Sequence, residues 1–346
     1  MSSLSSPVRH RYSIYGVRVT SDCPFEFPTA SEAQQSLADV EFVQGTERDF
    51  QPFAHLRDSS EPGFVCRQLA GGSTYLRWAH LYEFNVEADG SRVVCRPLDG
   101  CDGAVLQNFL FGQALAVALV QQGIEPLHAA VVRMDDCAVG FLGDCTFGKS
   151  TLLAAFLQAG HRVLTDDLLI VERREGAPIA LPGSGRIKLM PDSASAFLDD
   201  PARGTPLNPK TTKRSFPIEA ARRQRTGLPL RQLFVLPEPG ERDRITSIEI
   251  CPISRAAMVR ELLKNSFSAE ILDRERLVRQ FVFASQLASD VDGFRLRYPS
   301  GLHHLPALRK AIVEHVYRSR PSVALTQPEL RHGDHADESH RQSSRI

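Results

Sequence analysis

Gly143-Asp144-Cys145-Thr146-Phe147-Gly148-Lys149-Ser150 fits the pattern G-x-x-x-x-G-K-[ST] without a mismatch. Each residue type in that pattern answers a need of polyphosphate chemistry. Glycines let successive backbone N–H groups turn inward around phosphate oxygens, the lysine neutralises β/γ charge, and the serine hydroxyl reaches Mg²⁺. The apolar run Ala138–Leu142 before the loop reads as a strand, and Ser150–Ala159 after it reads as a helix closed by Gly160. That order sets the positive end of a helix against the phosphates. The expected nucleotide-binding set is Gly143, Asp144, Cys145, Thr146, Phe147, Gly148, Lys149, Ser150 and Thr151, with ATP and Mg²⁺ as cofactors. A strand–loop–helix unit of this kind belongs to an α/β fold.

Two carboxylates follow on the next apolar run. The stretch His161-Arg162-Val163-Leu164-Thr165-Asp166-Asp167-Leu168-Leu169-Ile170-Val171 reads as a strand with an acidic pair inside it. Unpaired buried charge is expensive, so such a pair faces a metal or basic groups. Neighbours on a strand point to opposite faces, so either one aspartate faces the loop or the strand ends or bulges there. The competing reading, a surface turn of two solvated aspartates, sits poorly with the apolar residues that follow. Upstream, Asp135-Asp136 is a two-residue turn between apolar strands. The register it sets pairs Met134 with Cys137 and brings His128 opposite Gly143. A lone histidine at a strand end is often only a hydrogen-bonded structural residue, and this register is what singles out His128.

Taken together, Leu127-His128-Ala129, the loop from Gly143 to Ser150, and Gly160-His161-Arg162 with Asp166-Asp167 resemble the kinase domain of HPr kinase/phosphorylase. That family is a group of bacterial protein-serine kinases whose P-loop fold is related to phosphoenolpyruvate carboxykinase. The resemblance is close over residues 125–175 and points to a divergent member, similar to HPr-kinase-like proteins associated with tailoring of peptide natural products. It implies catalytic roles for Asp167, Asp166, His128 and Lys149, and Mg²⁺ contacts from Ser150, Asp166 and Asp167. An aspartate of the pair would take the proton from a substrate serine while the histidine supports the site. The implied partner is a protein or peptide bearing a serine. Cys145-Thr146 stand where the family usually has Ser-Gly, and the family's later Glu-x-Arg-Gly-like segment is not evident. In its place Pro182–Leu189 offers Arg186 and Lys188, and Lys210, Lys213 and Arg214 follow. These basic groups read either as a clamp on phosphate or an acidic substrate, or as a solvated face.

Composition narrows the alternatives. Lys+Arg and Asp+Glu are equal at 41 each, so no global field favours a nucleic acid or an acidic membrane. The seven cysteines include no C-x-x-C pair, which speaks against a disulfide framework or a zinc site. Neither the first residues nor Val105–Val120 reads as a signal peptide or a membrane span, so a cytoplasmic protein is expected.

Residues 1–10 are expected to be disordered and residues 11–104 to form a β-rich N-terminal domain. Residues 105–318 are expected to form an HPr kinase-like P-loop domain, followed by a disordered tail over 319–346. Homo-oligomerisation stays open. Two rival readings remain beside a serine kinase: a small-molecule kinase or carboxykinase-like enzyme on the same scaffold, and a nucleotide-gated binding protein. A shared Mg²⁺ requires at least one aspartate carboxylate within roughly 4–7 Å of the Ser150 hydroxyl, with His128 within a similar distance of that same carboxylate.

Overall fold

In a computed structural model the described residues are 9–27, 36–57, 63–98, 103–208, 211–267, 271 and 273–319. The disorder expected for 1–8 and 320–346, and the position of Lys210, lie outside them. The first seven strands are β1 (His10–Ile14), β2 (Val17–Ser21), β3 (Ala38–Gln44), β4 (Phe64–Gln68), β5 (Thr74–Trp78), β6 (Tyr82–Val86) and β7 (Arg92–Pro97). They form one sheet in the order β1-β2-β3-β7-β6-β5-β4. The turn sequence Glu87-Ala88-Asp89-Gly90 predicts a hairpin of Tyr82–Val86 with Arg92–Pro97, and β6 and β7 have those limits. The alternation over Tyr12–Thr20 predicts a single strand, but the run is two strands folded at Tyr15-Gly16, both with positive φ (58° and 72°). Alternating apolar residues on both sides of the turn hid it, because Tyr15 is not a turn-forming residue type. Residue 10, expected to be disordered, is the first of β1.

A helical segment, Gly103–Phe109, continues through a π turn at Leu110–Ala114 into Leu115–Gln121. Its Leu110, Leu115, Val117 and Leu119 are buried in the same apolar cluster as Val19, Val40, Phe42 and Phe84 of the sheet. A helix assigned from sequence to the second domain therefore covers a face of the seven-stranded sheet.

The strands after it are β8 (Leu127–Met134), β9 (Cys137–Leu142), β10 (Val163–Thr165), β11 (Leu168–Leu169), β12 (Val171–Arg174) and β13 (Ala177–Ala180). Then come β14 (Arg186–Leu189), β15 (Thr205–Pro206), β16 (Arg214–Pro217), β17 (Leu228–Val235), β18 (Glu249–Pro252) and β19 (Asp292–Arg297). A mixed sheet runs β10-β8-β9-β17-β13-β12, with β11 also on β8 and β19 joining β17 to β18. β17 is parallel to both β9 and β19, which requires helical crossovers. The Lys149–Gln158 and Leu305–Arg318 helices bury Leu152, Leu153, Phe156, Leu308 and Ile312 on one face. On the other, the Arg255–Lys264 and Arg274–Asp290 helices bury Met258, Leu262, Ala284 and Leu287. The result is an α/β layered unit, with a small sheet β14-β16-β15 flanking the Lys149–Gln158 helix. No helix among the described residues is long and apolar enough to cross a membrane.

Candidate phosphotransfer site

β9 ends at Leu142 and the chain turns at once, with Gly143 at φ 153°, Thr146 at φ 72° and Gly148 at φ 85° before the helix starts at Lys149. Thr146 takes the left-handed conformation where the resembled family usually has glycine, at a cost of about 1–2 kcal/mol for a side chain in that region. The ammonium of Lys149 is buried and donates to the carbonyls of Gly143 (2.5 Å) and Asp144 (3.1 Å). Burial lowers its pKa, while the charges of Asp166 and Asp167 pull it back up.

The ladder between β8 and β9 runs from Met134↔Cys137 to Ala129↔Leu142, the register read from the Asp135-Asp136 turn. One residue further on, the expectation that His128 lies opposite Gly143 needs correcting, because Asn265 stands between them. The Gly143 N–H donates to Asn265 Oδ1 (2.9 Å), and the His128 N–H donates to the Asn265 carbonyl (2.7 Å). Gly143 has turned away into the loop, so its buried N–H needs a partner that strand pairing no longer supplies. Asn265 closes the Arg255–Lys264 helix, where an asparagine reads as an ordinary cap, so nothing in the sequence separated it from other helix ends.

The aspartate strand is broken. Thr165 pairs with Val131 and Leu168 with His128, so the register is kept across Asp166-Asp167, which leave the ladder as a two-residue bulge that adds no residue against β8, with Asp167 at φ 83°; the register shift on this strand comes earlier, between Val163 and Thr165. The Thr165 hydroxyl closes the bulge by donating to the Leu168 carbonyl (2.7 Å). This break brings both carboxylates to the site, which a continuous strand would not allow. Asp166 accepts from the Ser150 hydroxyl through Oδ1 (2.9 Å) and from the Lys188 N–H through Oδ2 (2.9 Å). Asp167 meets the Lys188 ammonium at 2.5 Å through Oδ2 and His128 Nδ1 at 3.4 Å through Oδ1. The carboxylate expected within reach of Ser150 is that of Asp166, at 2.9 Å, and the one that meets His128 is that of Asp167, at 3.4 Å.

Their electrostatics diverge accordingly. Burial, reinforced by the neighbouring charge of Asp167, raises the Asp166 carboxyl above its ordinary range. Burial pushes Asp167 up as well, but the Lys188 ammonium, helped by His128, outweighs it and holds Asp167 well below that range. Lys188 is raised: burial opposes its charge, and Asp167 more than restores it. His128 is pushed down to about 4, chiefly by burial, with Asp167 opposing and Lys149 reinforcing the shift, so the imidazole is neutral at pH 7.

Ser150 Oγ and Asp166 Oδ1 form an oxygen-only pair. Among the described residues no group of three or more His, Cys, Asp or Glu side chains gathers to cage an ion. That donor set fits Mg²⁺, which keeps several waters and takes phosphate oxygens instead of a full protein cage. Thr151 points elsewhere, its hydroxyl 3.1 Å from that of Ser193. Of the basic residues noted in sequence and described in the structure, Lys188 forms an ion pair with Asp167, and the charge of Lys213 acts on both aspartates. Arg186 is buried against Ser215, Thr205 and Glu26, and Arg214 binds the Gly204 carbonyl.

No protein-family model and no curated protein matches the chain. Among solved structures, the Hpr(Ser) kinase/phosphatase from Coxiella burnetii is similar to it over 56% of this chain and 96% of its own, at 15% identity and a TM-score of 0.31. So loose a likeness assigns no residue a role; the distances above carry the reading that follows.

Proposed function

We propose that the chain is a P-loop phosphotransferase that uses Mg·ATP and delivers the γ-phosphoryl group to a hydroxyl, that of a serine on a protein or peptide. The observation that carries this reading is the pair of carboxylates set beside the loop with opposite environments, one on Ser150 and one on Lys188. Such a split assigns different tasks to chemically identical groups.

Phosphoryl transfer needs positioning and charge neutralisation more than covalent participation by the protein. The amides of residues 143–150 and the Lys149 ammonium hold the phosphates. Ser150 and Asp166 would hold Mg²⁺, which supplies neutralisation of the charge shared between the β- and γ-phosphates. Asp167, ionised at neutral pH, accepts the proton of the acceptor hydroxyl. The acceptor oxygen bonds to the γ-phosphorus, the bond to the β-bridging oxygen breaks, and ADP leaves. Lys188 and the neutral His128 orient Asp167 from its two oxygens.

The test is γ-labelled ATP added with the purified chain to a lysate of the source cell. Label on a protein or peptide serine is the expected result. Turnover that labels only metabolites would replace the acceptor class with a small molecule. Tight ATP binding with no release of ADP would remove the transfer reaction altogether.

A further inference from the structure

The bulge that presents Asp166 and Asp167 rests on a residue from the other sheet. Tyr15, in the turn between β1 and β2, is 2% exposed and holds φ at 58°, a strained conformation for a bulky residue. Such strain persists only where the surroundings fix it. Here the Tyr15 N–H donates to the Pro182 carbonyl (2.8 Å), which anchors the turn to the segment before β14.

The ring lies on Gly183. A Cβ at that glycine would fall 2.9 Å from Tyr15 Cε1 and 2.1 Å from Thr165 Oγ1, so only glycine lets the three come together. The Gly183 N–H in turn donates to the Leu164 carbonyl (2.9 Å). The Tyr15 phenol and Ser184 border the same small cavity as Asp166, and Thr165, which meets the ring over Gly183, is the residue whose hydroxyl closes the bulge on Leu168. Burial raises the phenol far above its ordinary value, and the charges of Asp167 and Asp166 add to the shift, so the group stays a neutral O–H.

We propose that Tyr15 is a positioning residue through which the seven-stranded sheet holds the Asp166-Asp167 bulge in shape, making that sheet a working part of the transfer centre. This rests on the phosphotransfer reading of the site. A turn hydroxyl with no such role would be indifferent to removal beyond a small loss of stability.

The test uses the full chain with Tyr15→Phe, which keeps the ring, and Thr165→Val, which keeps the shape but removes the closing hydroxyl. Backbone hydrogen exchange is followed at Ala129, whose N–H donates to the Asp167 carbonyl, and at Leu168 and Leu169. Both variants should exchange at these amides about fivefold faster or more, with the Lys149–Gln158 helix unchanged, as expected of a local opening. With Mg·ATP and acceptor, kcat should fall about tenfold while the KM for ATP stays within about twofold, the signature of a lost transition-state arrangement. Unchanged exchange at the three amides in Tyr15→Phe would overturn the proposal. So would a rise spread evenly over the chain, or equal losses in kcat and in ATP affinity. A wild-type chain that transfers no phosphoryl group would fail the functional reading instead, and the exchange result would still judge Tyr15.

Discussion

The phosphate loop and the aspartate bulge are both tight turns that leave a strand through left-handed residues, yet they are held in different ways. The loop is local. Its shape comes from Gly143, Thr146 and Gly148, and its lysine binds the loop's own carbonyls. The bulge is assembled from afar. Asp166 is fixed by Ser150 and the Lys188 backbone, Asp167 by the Lys188 ammonium and His128, and the underlying Thr165 meets Tyr15 of the other sheet over Gly183. A locally coded turn tolerates change in the rest of the chain, whereas a remotely supported one couples the chemistry to whatever holds it.

Substitutions can break or sharpen this contrast. The largest effect belongs to the loop. Lys149→Ala should reduce ATP turnover on the order of 10³-fold and weaken Mg·ATP binding, because a charge-assisted contact to the phosphates is lost. Steady-state kinetics with calorimetric titration of nucleotide measures both.

Next comes the support of the bulge. Asp167 must be ionised to accept a proton, and its depressed pKa keeps it so; activity is lost only as pH falls through that low value. Lys188→Met removes the principal charge holding it down and leaves burial unopposed. The acid limb of the pH–rate profile should therefore move to higher pH by about one unit or more. A smaller loss is expected for Asn265→Ala, which orphans the buried Gly143 N–H at a cost of about 1–3 kcal/mol. Chemical denaturation and nucleotide affinity should both register it.

The smallest effect is expected at Thr146. It is exposed, so Thr146→Gly relieves the left-handed strain and loses no packing, while it adds chain entropy to the unfolded state. The two terms oppose each other, and the net change in stability should stay within about 1 kcal/mol.

The same contrast decides what could be read from sequence. The loop, its strand and its helix were legible because the motif and the apolar periodicity lie within a few turns of chain. The β8–β9 register was legible because Asp135-Asp136 fixes it. The bulge was legible only as one option among several, since two charged residues in an apolar run demand a special conformation without saying which. Its supports were not legible. Lys188 was one basic residue among five, and Asn265 looked like a cap. Tyr15 sat in what read as an unbroken strand, and its place beneath the aspartates depends on sheets that meet far apart in sequence. The three-stranded sheet β14-β16-β15 escaped for a related reason: its strands are two to four residues long and carry Pro and charge.

The division of labour between the two aspartates is the account's central claim, and it is tested most directly by Asp166→Asn and Asp167→Asn measured side by side. Mg²⁺-dependent ATP binding and phosphoryl transfer are followed in each. Asp167→Asn should bind Mg·ATP as the wild type does and lose about 10²–10⁴-fold in turnover, the range of a missing general base. Asp166→Asn should lose the Mg²⁺ dependence of nucleotide binding, because one of the two oxygen ligands offered to the metal is gone. Identical behaviour of the two variants, or full activity in Asp167→Asn, would contradict the account.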